Sequence, residues 1–123
     1  MAAEIKNELG TIRLDDDIIA TIAGFAAVEN YGIVGMNAKK VGDALTELFG
    51  RDNLKRGVKV NVNDSGEVEV DLFVTLEYGV SLPAVAANTK KNVCYRIEEM
   101  TGLKVTSVNV HVEAIRVDSD LKG

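Results

Sequence analysis

The 123-residue sequence predicts an α+β domain of two layers: a small mixed β-sheet containing a β-hairpin, with helices packed on one face. Three observations lead there. Apolar and polar residues alternate from Val58 to Tyr78, with Phe73 in the polar phase, broken by one turn. A long stretch of helical spacing, Leu82–Met100, follows at once. A second alternating stretch, Lys104–Val117, comes after it. A helix between two strands of one sheet calls for a right-handed parallel crossover, whereas a hairpin is antiparallel, so the sheet is mixed. Its polar face is too hydrophilic to lie under helices, which must therefore cover the other.

Taken in order, a short strand at Gly10–Leu14 is compatible with the pattern before the first helix. Asp15–Asn30 carries that helix, with Ile18, Ile22, Phe25 and Ala26 as its expected apolar stripe and Glu29 at the same spacing. Asp15 is placed to cap it, and Asp16 and Asp17 put negative charge where the helix dipole favours it. Gly32 stands at a left-handed C-terminal position. Gly32–Met36 reads as either a buried strand or a tight connection. Asn37 then caps a second helix over Ala38–Phe49, with Val41, Leu45 and Leu48 on one side and Gly50 at its end. Arg51–Arg56 is a charged loop.

The hairpin register follows from the period-two rule. For Val58, Val60 and Val62 to share a face with Val68, Val70, Leu72 and Val74, paired positions must sum to an even number. A three-residue loop, Asp64-Ser65-Gly66, meets this condition and pairs Asn63 with Glu67, Asn61 with Glu69, and Lys59 with Asp71. A two-residue loop sets Val62 against Glu67 and is rejected. Ser81 and Pro83 open the long helix, Leu82, Ala86, Thr89, Val93, Ile97 and Met100 form its expected stripe, and Gly102 stops it. In the last strand Val108, Val110, Val112 and Ala114 point inward, while Asn109, His111 and Glu113 point outward. Val105 and Ile115 break that phase, which predicts a bulge or a change of burial near each end. The tail past Val117 is polar and frayed.

Composition narrows the function. Fourteen basic and nineteen acidic side chains give a net charge of −5, with 46% apolar residues, one His, one Cys, one Pro and no Trp. This is one soluble globular domain, Met1–Gly123, with an ordered core from about Gly10 to Val117. One Cys forms no internal disulfide, and one Cys with one His makes no structural zinc site. Net acidity without a basic tract argues against nucleic acid as a partner. The longest uncharged stretch, Ile18–Val28, is too short to cross a bilayer, so direct membrane insertion is not expected. Met1–Leu14 carries charges throughout and lacks a signal-peptide core, which places the chain in the cytoplasm.

Candidate chemistries reduce to bland readings. Asp15, Asp16 and Asp17 point in different directions from a helix start and are better as caps than as a cation site. His111 stands on a wet strand face with no nucleophile identified beside it. Cys94 follows inward Val93 and reads as a partly buried small apolar residue, with Lys90, Lys91 and Arg96 only a slight hint of thiol activation. Gly32-Ile33-Val34-Gly35 matches no phosphate loop. No catalytic, cofactor or metal residue is expected. The outward sheet face, bearing Glu67 and Thr75 besides Lys59, Asn61, Glu69, Asp71, Phe73, Asn109, His111 and Glu113, is either simply solvated or a docking surface for another chain. In the second case Phe73 is its anchor. Pairing by an exposed strand edge is another route to contact.

Several local patterns also occur in order: Ile22-Ala23-Gly24-Phe25-Ala26-Ala27-Val28-Glu29, Tyr31-Gly32-Ile33-Val34-Gly35-Met36, Gly57-Val58, Tyr78-Gly79, Met100-Thr101-Gly102-Leu103 and Val108-Asn109-Val110. Together they resemble the bacterial alkaline shock protein family, also described as the envelope stress response family, over about Gly10 to Val117. The chain is similar to its short, single-domain members from Gram-positive bacteria. The resemblance implies a small cytoplasmic protein tied to alkaline and cell-envelope stress and, in some members, to lipid metabolism or to a separate membrane-anchoring protein. It supplies no catalytic residues. Two functions are therefore expected. The first is a non-enzymatic stress protein acting through protein–protein contacts, with a membrane-anchoring protein or a homo-oligomer as its assembly. The second is a small-ligand-binding regulator or accessory protein of fatty-acid metabolism.

Overall fold

The computed structural model describes residues 3–30, 32–36 and 57–117. In chain order the elements are β1 (Ala3–Asn7), β2 (Gly10–Leu14), α1 (Asp16–Val28), β3 (Ile33–Met36), β4 (Val58–Val62), β5 (Val68–Glu77), α2 (Leu82–Thr101) and β6 (Val105–Arg116). The expected helix Ala38–Phe49, the loop Arg51–Arg56 and the tail past Val117 lie outside the described residues.

β5 is the spine of the mixed sheet. Its odd-numbered backbone groups turn to one side, where Phe73 N–H donates to Gly57 O (2.9 Å) and Glu77 N–H to Gly32 O (2.9 Å). Antiparallel β4 and β3 lie end to end along that side, β4 opposite Val68–Leu72 and β3 opposite Val74–Leu76. The even-numbered groups turn the other way and bind parallel β6, from Val68 N–H to Lys104 O (2.8 Å) through Tyr78 N–H to Arg116 O (2.9 Å). Gly32–Met36 therefore resolves as a strand. The hairpin register is the one derived, with Lys59 opposite Asp71 and Asn61 opposite Glu69. Gly66 sits at φ +83° in its loop, and the Asn63 carboxamide oxygen accepts the N–H groups of Ser65 and Glu67 at 2.9 Å each.

Two-faced patterning sorts the layers. On β5, Val68, Val70, Leu72, Val74 and Leu76 are all buried and face the helices. Each such side chain contributes about 1.5–3 kcal/mol relative to an exposed one. Ile19, Val93 and Ile97 from the helices complete the middle of this core.

In α1 the buried stripe is not the expected one. Ile19, Ala20, Ala23, Gly24, Ala26 and Ala27 face inward, whereas Ile18 and Phe25 are each 48% exposed and Ile22 is half-buried. The reason is distance. Asn92 of α2 donates its carboxamide N–H directly to the backbone carbonyl of Ala26 at 2.8 Å, a contact that requires the helices to touch through small side chains. A Phe and two Ile at that surface would hold α1 away from its neighbours. Asp15 occupies the cap position in extended backbone, but its side chain makes no capping bond. At the other end the Asn30 carboxamide donates to Ala26 O (3.0 Å) and Ala27 O (3.1 Å), and Arg96 meets Glu29 at 2.9 Å.

α2 begins and ends as its sequence predicts. Ser81 accepts from Ala84 N–H at 3.3 Å, Pro83 occupies the first turn, and Gly102 closes the helix at φ +77°. Its buried residues are Val85, Thr89, Val93, Ile97 and Thr101, while Leu82 and Met100 are 43% and 64% exposed. Each buried residue is four beyond the last, so the stripe turns by about 40° per step. A helix lying across a twisted sheet needs that drift, which carries Leu82 and Met100 out of the core at either end. Buried Thr89 and Thr101 satisfy their hydroxyls on the carbonyls of Val85 (2.7 Å) and Ile97 (2.6 Å).

β6 carries two register shifts: consecutive β5 residues Val68 and Glu69 pair with Val105 and Ser107, and Val74 and Thr75 pair with Val112 and Ala114. Thr106 and Glu113 are the extra residues, near the ends where the phase break predicted a disturbance. Beyond the second shift Ala114 pairs with Thr75 on the outer face, not inward as its alternation with Val112 suggested. β2 also pairs with β1 in a separate two-stranded hairpin that the sequence pattern left half-formed. It packs Ala3, Ile5 and Leu14 against the core.

Candidate interaction surface

The outer face of the sheet is built in rows across three strands. Asn61, Glu69 and Ser107 form one row, and Lys59, Asp71 and Asn109 the next. Phe73 with His111, Thr75 with Ala114 and Glu77 with Arg116 follow. Pleating puts these residues on one side because each alternates with a core residue. Seven of the eight sequence-predicted surface residues, Lys59, Asn61, Glu69, Asp71, Phe73, Asn109 and His111, thus stand side by side. Glu113, the eighth, is exposed but falls at the register shift and has no partner on β5.

At the centre the side chains are organised. Asn109 donates its carboxamide N–H to Asp71 Oδ1 at 3.0 Å, and His111 Nε2 lies 3.1 Å from the same oxygen. The rings of Phe73 and His111 stack with centroids 4.6 Å apart and planes 10° from parallel. That separation is close to the spacing between neighbouring strands, so the rings stand upright side by side, like plates in a rack. The Asp71 side chain is 22% exposed and that of His111 47%. Burial by itself raises the Asp71 carboxyl. The hydrogen bonds from His111 and Asn109, with the charges of His111 and Lys59, outweigh it and hold the group below its ordinary value.

A carboxylate held below its usual range is a weaker proton acceptor near neutrality. Cys94, the one thiol, lies in the helix layer across the sheet. Its pKa is raised by burial and by Glu98, which contradicts the hint of activation from neighbouring cations. Among the described residues no group of three or more His, Cys, Asp or Glu side chains is placed to hold a metal ion. The cross-strand bonds of Asp71 were invisible to sequence reasoning, although the face that carries them was not. Thr75 and Ala114 add a row of small side chains beside the ring pair; the alternation of β6 predicts Ala114 on the opposite face, and the second register shift turns it outward.

The model of the alkaline shock protein 23 family, described by its cell envelope-related function, matches residues 4–117. The uncharacterized protein YloU of Bacillus subtilis is 37% identical over 118 residues, covering 95% of this chain and 98% of that protein. The uncharacterized protein Spy1614 of Streptococcus pyogenes is 36% identical over 118 residues, 95% of this chain and 97% of its own length. A stress response regulator gls24 homolog of Streptococcus pyogenes is 31% identical over 114 residues, which is 93% of this chain and 63% of that protein. No solved structure matches.

Proposed function

The chain belongs to the alkaline shock protein 23 family, whose function is cell envelope-related, and on that premise we propose that it is a non-enzymatic stress-response protein acting through contact between its outer sheet face and another protein. The observation that carries this reading is the stacked Phe73–His111 pair, braced by Asp71 and Asn109 on the face turned away from α1 and α2. An aromatic residue held rigid among polar neighbours loses little conformational freedom on binding, which is what an interface anchor requires. In this reading the protein works in the cytoplasm and reaches the envelope through a membrane-anchoring partner. No described helix is long and apolar enough to cross a membrane.

The test is site-specific photo-crosslinking in the native cell at neutral and alkaline pH. One probe replaces Asn61 on the outer face and another replaces Leu9, which is 97% exposed at the tip of the β1–β2 hairpin. Discrete protein adducts are expected from position 61 and not from position 9, and Phe73→Asp should abolish them. Because Phe73 is partly buried, the exposed Glu69→Lys variant provides a second disruption that leaves the core alone. Adducts that survive both variants, or none at either pH, refute the reading.

A further inference from the structure

Among the described strands β6 is an edge strand, paired with β5 on one side only. Its bonds to β5 extend from Lys104 O to Arg116 O. In a parallel ladder, residues that bond to the neighbour alternate with residues whose N–H and C=O turn away. The register assigns the outward-turned groups to Val108, Val110, Val112 and Ile115, and among the described residues no strand pairs with them. Such unsatisfied backbone is a ready template for another extended chain.

The two faces of this edge differ in chemistry. On the helix side Val108 is 7% exposed, but Val112, Ile115 and Val117 are 38%, 43% and 49% exposed. Among the described residues the helices stop short of the last third of the strand, leaving an apolar row partly exposed at the rim. On the outer side stand His111, stacked against Phe73 on its inner flank, and exposed Glu113, with exposed Arg116 beyond them opposite Glu77 of β5. Among the described residues Glu113 and Glu69 make no ion pair, and the whole chain carries −5.

We propose that the β6 edge receives an extended segment of a partner protein as an added strand, with side chains that alternate between apolar and basic. Its apolar residues cover Val112, Ile115 and Val117. Its cations stand beside His111 and Glu113, where an Arg guanidinium matches both a ring face and a carboxylate. A second copy of this chain is a poorer occupant: it has the same −5 charge and the same Glu113 bulge, which interrupts edge-to-edge pairing. The inference rests on the protein-contact reading above and names the chemistry of the partner.

The test uses an end-capped octapeptide of alternating Val and Arg, titrated into the isotope-labelled full chain and followed by amide NMR and hydrogen exchange. Shift changes are expected to concentrate on β6, and exchange at Val110, Val112 and Ile115 is expected to slow. Replacing Arg by Glu, or N-methylating every second peptide bond to remove the strand's donors, should each weaken binding by about tenfold or more. Ile115→Lys, at a half-exposed site, should weaken it similarly. Equal binding of the N-methylated or Glu peptide overturns the proposal, as do shifts confined to other elements. Concentration-dependent shifts on β6 without peptide overturn it in favour of self-pairing. Crosslinks from position 61 in cells, combined with no peptide binding, would leave the protein-contact reading standing and remove the edge.

Discussion

Gly32→Ala is the substitution whose cost can best be worked out from the structure. Gly32 lies between α1 and β3 at φ +98°, and its carbonyl accepts the Glu77 N–H at 2.9 Å, which fastens it to the sheet. A β-carbon built there meets Val85 Cγ2 at 3.0 Å and Val80 Cγ1 at 3.3 Å. Val85 is only 6% exposed, and its β-branched side chain has little rotamer freedom in a helix, so it cannot simply turn aside. The left-handed backbone costs about 1–2 kcal/mol for an L side chain. Overpacking adds about 1–3 kcal/mol. Gly66→Ala isolates the first contribution, because Gly66 has φ +83° and nothing within 4 Å of the added carbon. For a chain of this size, 1 kcal/mol moves the thermal midpoint by about 4 °C. Gly32→Ala should therefore melt about 4–12 °C below Gly66→Ala in a circular-dichroism or calorimetric scan. Equal midpoints for the two variants would refute the steric part of the argument.

Three other outcomes are expected. Asn92→Ala should cost only about 1 kcal/mol in chemical denaturation, since Ala26 O keeps its bond from Asn30. Asn92→Asp should cost more near neutrality, where a carboxylate faces that carbonyl, and the excess should shrink as the pH falls toward about 4 and the acid becomes a donor. Asp71 has a carboxyl lowered from 3.8 in the folded state, so its stabilising effect is present above that value and is lost as pH falls through the lower folded one. The stability difference between the native chain and Asp71→Asn should accordingly narrow on acidification below about 3.8, and a difference that widens there contradicts the assignment. Cys94, raised by burial and then by Glu98, should react with iodoacetamide more slowly than a free cysteine at the same pH, and Glu98→Gln should speed the reaction.

Most of the fold was legible because its signals are local. The loop Asp64-Ser65-Gly66 and the alternation on either side leave one hairpin register that buries Val58–Val62 and Val68–Leu76 together. Ser81, Pro83 and Gly102 mark the ends of α2 without help from the rest of the chain. The candidate surface was legible as a face, since a residue one position from a buried Val on a strand must point the other way. Its internal bonding was not, because Asp71 lies 38 residues from Asn109 and 40 from His111, and the offset across a crossover is no property of either strand alone.

The sequence by itself determined the ends of α1 and α2, the hairpin register, the mixed sheet and the polar character of its outer face. These follow from backbone preferences and side-chain periods that act over a few residues. Tertiary structure decided which stripe of α1 turns inward. Ile18, Ile22 and Phe25 are large apolar side chains, yet Ile19 with the Ala and Gly residues turns inward because α2 reaches the α1 backbone itself. It also decided that α2 buries Val85 and Thr101 in place of Leu82 and Met100, that Ala114 faces outward, and that Val112 and Ile115 stay uncovered at the rim. Periodicity identifies the residues able to be buried. How closely the layers approach, and how far each one extends, selects among them.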